Sequence, residues 1–164
     1  MEPQITLSPE RRLVGLHRRM TLAADATREL WRGFMPRRKE IGNALNSNLI
    51  SLQVYDSSLD FASFRLDSPF EKWAAVEVPD FSHVPAGMET LTVPEGLYAV
   101  VLHTGGPPSA PVTYRLFFGE WLPGSGYRID DRPHFEVLGE KYRNDDPRSE
   151  EEIWFPVRQV HPSP

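Results

Sequence analysis

Glu136 lies at the centre of a stretch rich in aromatic residues, residues 117–142, which read FFGEWLPGSGYRIDDRPHFEVLGEKY. A buried carboxylate is costly unless it is paired, hydrogen-bonded or protonated, so one without a basic partner is suited to an incoming cation. Aromatic faces add cation–π attraction of about 0.5 to 2 kcal/mol each. The stretch therefore predicts a pocket for a flat, apolar, cationic molecule. The alternation also fits a simpler alternative, with Phe135 and Val137 in the core and Glu136 in solvent.

Other chemistries find little support in the sequence. The absence of cysteine excludes disulfides, thiolate metal sites and a cysteine nucleophile. His17 and His103 lack a third ligand at a suitable spacing, so we expect no metal and no cofactor. The Gly-Gly-Pro-Pro run at residues 105–108 lacks the lysine of a phosphate-binding loop, and Gly-Ser-Gly at residues 124–126 lacks the frame of a hydrolase elbow. We assign no catalytic residue; if the chain is an enzyme, Glu136 is the candidate.

The elements that must position Glu136 follow from periodicity and turn signals. One helix is predicted from residue 26, with an interruption at Pro36 and a continuation to residue 45, and a second from residue 110 to residue 121. A Pro-Glu-Gly turn predicts a hairpin of the strands at residues 88–93 and 97–103. The predicted strands are residues 12–22, 49–55, 72–78, 88–93, 97–103, 133–142 and 152–160, and residues 3–8 are a short β-prone segment.

The predicted elements repeat the order strand, helix, strand, strand, once in residues 12–79 and again in residues 96–160. Leu16-His17 matches Leu102-His103, and Trp73 matches Trp154. Such a duplication predicts an α+β fold, with an antiparallel or mixed sheet, helices on one face, pseudo-two-fold symmetry and a cleft between the halves. Concave sites between packed units are where small ligands tend to bind.

The same residues carry a family resemblance. The segments VPEGLYAVVLHTG, EWLPGSGY, PHFEVLGEKY and EEIWFPV, which begin at residues 93, 120, 133 and 151, resemble the GyrI-like small-molecule-binding domain. This is the effector-binding domain of AraC-type and MerR-type multidrug regulators, and it also occurs alone. The resemblance implies a cleft for lipophilic cations with Glu136 as counter-charge. It also implies aromatic ligand contacts, for which the candidates are Tyr98, Trp121, Tyr127 and Trp154, with Tyr55 and Trp73, beside Trp31, in the first half.

Three functions are compatible with this resemblance. The first is a stand-alone module that binds or senses lipophilic, cationic small molecules. The second is a hydrolase of reactive cyclopropane-bearing toxins, in which Glu136 activates water as a general base. The third is a protein-interaction role, such as gyrase modulation, in which the acidic residues 145–152 contact the partner.

Composition limits the possible partners. The formal net charge of −5 argues against general binding to nucleic acid, and no helix-turn-helix segment is found, so we expect no direct operator binding. Nine of the eighteen Lys and Arg residues fall in residues 11–39, which is typical of the solvated face of a helix. The 164 residues suit a single domain, and without a leader or a long apolar run we expect a cytoplasmic location away from membranes.

Overall fold

The computed structural model describes residues 1–57 and 60–160, and within them the chain forms nine strands and two α-helices. This confirms the predicted α+β class. In chain order the elements are β1 (Gln4–Ser8), β2 (Arg11–Met20), α1 (Thr27–Phe34), β3 (Leu49–Val54), β4 (Phe70–Val78), β5 (Glu89–Val93), β6 (Gly96–Thr104), α2 (Ala110–Leu116), β7 (Tyr127–Ile129), β8 (His134–Leu138) and β9 (Glu150–Gln159). Neither helix is long and apolar enough to cross a membrane in this part of the chain.

The strands form one antiparallel sheet in the order β1-β6-β9-β8-β3-β4-β2-β5, and β7 pairs with the end of β9 beyond β8. The antiparallel alternative of the prediction is therefore the correct one. The two halves meet at the β3–β8 pair, where Ser51 lies opposite Glu136. The sets β2-α1-β3-β4 and β6-α2-β8-β9 share one element order, as a duplication requires, and their pseudo-two-fold relation stays a prediction.

The sheet is strongly curled. Strands β1 and β2 are six positions apart in the sheet, which would separate them by roughly 29 Å if it were flat. They are joined only by Pro9 and Glu10, a connection that spans at most about 11 Å. The two ends of the sheet must therefore approach each other, which gives the sheet a concave inner face and a convex outer face.

The inner face carries a core of its own. Residues of seven strands form one buried cluster there, among them Leu13, Leu52, Trp73, Tyr98, Phe135 and Trp154. The guanidinium of Arg11, on β2, lies 5.3 Å from the centre of the Phe135 ring and 4.9 Å from that of Trp154, on β8 and β9. This contact bridges strands that would be distant in a flat sheet.

The outer face carries both helices. Helix α1 packs Leu30 and Phe34 over β2 and β4, and the turn that follows α2 stacks Phe117 on Phe155 of β9 with a centroid distance of 3.8 Å. Between the regions covered by the helices, β3 and β8 run side by side in the middle of the sheet. The residues of this strip that face the helices include Ser51, Gln53 and His134, which are buried, and the half-buried Glu136; we call the strip the floor of the cleft.

Several predicted boundaries were wrong. The first helix ends at Phe34 and continues only as a 3₁₀ segment, Met35–Glu40, because proline cannot extend the α-helical hydrogen bonds. The second leaves α geometry after Leu116 and forms a π-helical turn, Phe117–Trp121. The β5–β6 hairpin was also wrong: β5 pairs with β2, and β6 pairs with β1 and β9. Strand β8 stops at Leu138, and β7 was not predicted.

The two histidines of the predicted repeat lie on opposite faces, so they do not mark equivalent positions. His17 stacks on Trp73 at the inner face, 4.4 Å between centroids, and its two ring nitrogens lie 2.7 Å from carboxylate oxygens of Glu71 and Glu89. Burial lowers the pKa of His17, but the two carboxylates raise it overall. His103 faces the helices instead. Across the described residues, no group of three potential ligands is placed to hold a metal.

Candidate functional site

Glu136 lies on the floor of the cleft. Side chains alternate along β8, so Phe135 and Val137 face the inner core while Glu136 faces the helices. Glu136 is half-buried, and its Oε1 accepts a hydrogen bond of 2.5 Å from the hydroxyl of Tyr114 on α2. The structure confirms that Phe135 is in a core, and Glu136 is half-buried rather than in solvent; its role as a ligand contact stays a prediction.

A second carboxyl group, that of Glu151, joins Glu136. It comes from β9, where Ile153 lies opposite Glu136, so Glu151 is the diagonal neighbour on the same face. Glu151 is 5% exposed, so a buried carboxyl group lies beside Glu136 on the same face. Burial, followed by the charge of Glu136, raises the pKa of Glu151 to about 8, although Lys72 opposes the shift. The pair therefore holds a proton at neutral pH.

A lysine is buried on the same face. Lys72 of β4 lies opposite Gln53 of β3 and is 7% exposed. The Gln53 amide nitrogen donates to the carbonyl oxygen of His134, at 3.1 Å, and the amide oxygen accepts from Lys72 Nζ. Burial lowers the pKa of Lys72, and the charges of Glu136, Asp25 and Glu151 oppose that shift.

The acid pair is not neutralised by a salt bridge. None of the ion pairs in residues 1–57 and 60–160 includes Glu136 or Glu151. Lys72 acts on them through space, while its ammonium group is held by Gln53. The cleft therefore offers negative charge without a basic group bonded to it.

Aromatic rings from both halves close over this floor. Tyr55 and Phe61, from the first half, lie 4.8 and 5.1 Å from the ring of His134. Phe61 also stacks on Phe118, from the turn after α2, with 5.6 Å between centroids and 20° between planes. A surface depression of about 330 Å³ is lined by Glu151 and its neighbours Glu150 and Glu152, and a second of about 410 Å³ lies around Arg132; Glu136 lines neither.

The tyrosines and His134 around the floor are neutral. Burial, with a contribution from the Glu136 charge, raises the pKa of both Tyr55 and Tyr114. Burial and the charges of Glu151 and Glu136 raise the pKa of Tyr142 to about 12. Burial lowers the pKa of His134 to about 3, with a smaller effect of Arg132. The fixed negative charge is thus concentrated on the acid pair.

The predicted ligand contacts divide into three groups. Glu136 and Tyr55 meet in the cleft. Trp121 and Tyr127 stack on each other at 6.1 Å over the far end of β9, on the same side of the sheet.

Tyr98, Trp73 and Trp154 require correction, because they lie in the inner core, 0%, 5% and 8% exposed, with the sheet between them and Glu136. The strand pairing shows this directly: Trp154 lies opposite Phe135, the neighbour of Glu136, so its side chain points to the other face of the sheet, as do those of Tyr98 and Trp73. They support the floor from below and cannot surround the same carboxylate.

Sequence reasoning missed several residues of the cleft: Glu151, Lys72, Tyr114, His134, Phe61 and Phe118. For Glu151 a signal existed, because it precedes Ile153 and Phe155 at alternate positions of one strand. The sequence analysis assigned it instead to an acidic protein-contact region, and its burial removes it from such a surface. For Lys72 only the long-range register with Gln53 reveals the placement.

Comparison with known proteins agrees with this architecture. The family model described as "GyrI-like small molecule binding domain" matches residues 1–158. The transcriptional regulator BrlR of Pseudomonas aeruginosa is 25% identical over 158 residues, which are 96% of this chain and 56% of the regulator. The chain thus spans about half the length of that curated relative.

Similar solved structures include SAV2435 bound to tetraphenylphosphonium, with a TM-score of 0.70, 16% identity and coverage of 96% of this chain and 94% of that one. The C-terminal domain of EcmrR has a TM-score of 0.67, 18% identity and coverage of 98% and 100%. A hydrolase encoded by lin2189 of Listeria innocua has a TM-score of 0.59, 14% identity and coverage of 96% and 92%. The family match over nearly the whole length, together with the shared fold, shows that this chain belongs to the GyrI-like small molecule binding domain family.

Proposed function

We propose that the cleft binds lipophilic, cationic small molecules and that Glu136 is their counter-charge. The observation that carries this proposal is the half-buried carboxylate of Glu136, which bonds to Tyr114 of α2 and which no described arginine or lysine neutralises by a salt bridge. A cation above Glu136 restores the electrostatic stabilisation that burial removes from the acid. The tetraphenylphosphonium bound to SAV2435 is a lipophilic cation of this chemical class.

The rings define what else the ligand needs. Phe61 and Phe118 offer flat apolar faces from opposite halves, and Tyr55 and Tyr114 add rings that stay uncharged at neutral pH. On such surfaces the affinity of a ligand depends on its apolar area and positive charge more than on specific hydrogen bonds. We therefore expect broad recognition of aromatic cations rather than of one exact shape.

Titration with tetraphenylphosphonium tests the proposal, with tryptophan fluorescence and calorimetry as readouts. Glu136→Gln should weaken binding by roughly 30-fold or more, which corresponds to about 2 kcal/mol. The control is Glu140→Gln, which removes the same charge from an exposed position just beyond β8. Neutral triphenylphosphine oxide should bind the wild type and Glu136→Gln equally. Equal affinity of the wild type and Glu136→Gln for the cation would refute the counter-charge role.

A second candidate function is hydrolysis, favoured by one feature of the site. The neighbouring Glu136, Glu151 and Tyr114 place a proton acceptor beside groups that hold protons, as general acid–base chemistry requires. A strained cyclopropane-bearing electrophile would distinguish the two functions. Turnover that Glu136→Gln abolishes at retained binding would establish the enzyme, and stoichiometric binding without product would exclude it for that substrate.

A further inference from the structure

The placement of Glu136 and Glu151 favours a bound proton. They are diagonal neighbours on one face of the β8–β9 pair, Glu151 is 5% exposed, and no ion pair among the described residues includes either of them. Two negative charges so close together at a buried site would repel each other, and a proton on one carboxyl group removes that repulsion. Glu136 Oε1 already accepts from Tyr114, and Glu151 is the more deeply buried of the two. The proton is therefore assigned to Glu151, and the empty cleft carries one negative charge on two carboxyl groups.

The groups around the pair leave few other sites for proton exchange. Facing it are Lys72 from β4, His103 from β6, His134 on β8, Tyr114 from α2, Tyr55 and Tyr142 after β3 and β8, and Asp25 ahead of α1. The tyrosines keep their protons at neutral pH, and His134 is already neutral. The ring of His103 is held by Thr113 at 2.7 Å and by the carbonyl oxygen of Gly106 at 2.9 Å.

Resting on the proposed function, we propose that the cleft exchanges this proton for its cationic ligand. When a cation settles above Glu136, the O–H bond of Glu151 breaks, the proton passes to solvent, and the two carboxylates face the cation together. In the empty cleft the proton prevents repulsion between the two carboxylates. In the complex the positive charge of the ligand does so instead. Binding of one cation releases one proton, so the affinity depends on pH although a phosphonium ligand has no titratable group.

The thermodynamic linkage between proton binding and ligand binding determines whether the affinity rises or falls with pH. Because the bound state holds fewer protons than the free state, affinity rises with pH wherever Glu151 is protonated in the free protein. For tetraphenylphosphonium we expect an increase of up to about tenfold per pH unit between pH 6 and 8, with a plateau above that range. Without exchange, the affinity would be constant over this range.

Calorimetry at pH 7 in buffers of different ionisation enthalpy counts the protons directly. We expect about one proton released for each tetraphenylphosphonium bound by the wild type. Glu151→Gln, which lacks the second carboxylate, should bind more weakly at pH 8 and release no proton when it binds. Glu152→Gln, the same substitution at the exposed neighbouring position, should behave as the wild type. Difference infrared spectra should show loss of the protonated carboxyl band of Glu151 when the cation binds, a readout that needs no substitution.

The outcomes separate this inference from the proposed function. Binding without proton release in the wild type would overturn the exchange and leave the binding function intact. Release that persists in Glu151→Gln would place the proton elsewhere, on Lys72, and would also overturn it. A protein that binds no aromatic cation at any pH would overturn the proposed function itself.

Discussion

The protonated Glu151 also governs how the stability of the fold depends on pH. Its pKa is raised from an ordinary value of 4.5 to about 8, chiefly by burial and then by Glu136. The folded state therefore binds more protons than the unfolded state between these values, so the free energy of unfolding falls as pH rises through this window. The full shift would be worth a few kcal/mol, and because Glu136 shares the proton we expect a loss on the order of 2 kcal/mol.

His134 acts in the opposite direction at lower pH. Burial lowers its pKa from 6.5 to about 3, so the unfolded state binds the extra proton and stability rises with pH through that window. Between pH 4.5 and 6.5 the two effects oppose each other. Above pH 6.5 the effect of Glu151 remains, together with that of His17, whose raised pKa also removes stability as pH increases. We expect wild-type stability to rise from pH 3, level off, and decline from pH 6.5 to 8.

Urea unfolding at half-unit pH steps, followed by tryptophan fluorescence, measures this profile. In Glu151→Gln the plateau between pH 4.5 and 6.5 should become a rise, and most of the decline from pH 6.5 to 8 should disappear. Lys72, whose pKa is lowered, acts with the opposite sign in alkaline solution, so the series ends at pH 8. The reasoning fails if Glu151→Gln and the wild type decline equally above pH 6.5. Glu152→Gln provides the matched control.

Two further predictions concern the scaffold. Gly15→Ala should destabilise the fold by about 3 kcal/mol or more in urea unfolding, because the new Cβ would overlap the carbonyl oxygen of Ala74 on β4. Gly119→Ala, with nothing near its Cβ, should be within about 1 kcal/mol of the wild type, and a similar loss in both variants would contradict the steric argument. Phe117→Ala should cost about 3 to 5 kcal/mol, because it removes a fully buried ring stacked on Phe155, and a smaller loss would show that α2 is not anchored there.

Sequence patterns predicted the class and most strands, because these depend on local signals. The strand at β8 was recognisable from its alternation, whereas the role of Glu136 stays a prediction. The sequence did not reveal which face of the sheet each aromatic side chain occupies. Where a sheet is covered on both sides, as β4 is along most of its length, alternation does not distinguish one covered face from the other. Only the register across β8 and β9 separates Trp154 from Glu136.

The curl of the sheet was equally beyond local reasoning. The Pro-Glu-Gly sequence at residues 94–96 looks like a hairpin turn, yet it carries the chain from one end of the sheet order almost to the other. These turn residues are compatible with a β5–β6 hairpin and with a connection between distant strands. The long-range pairing of β5 with β2 determines which of the two forms. The positions of Lys72 and Glu151 also depend on pairings between separate strands, which are β4 with β3 for Lys72 and β9 with β6 for Glu151.

The centre of the cleft works against the stability of the fold, and this argues that its residues serve a ligand. Lys72 and Glu151 are both more than 90% buried, each with its pKa shifted toward the uncharged form by burial. Apolar residues of similar size at these positions would avoid that cost. Perturbed titratable groups in a cleft are a mark of functional sites, and proteins break the rules of core composition chiefly at such sites. If the argument holds, Glu151→Gln should stabilise the folded protein at pH 8 while abolishing the proton release that accompanies cation binding.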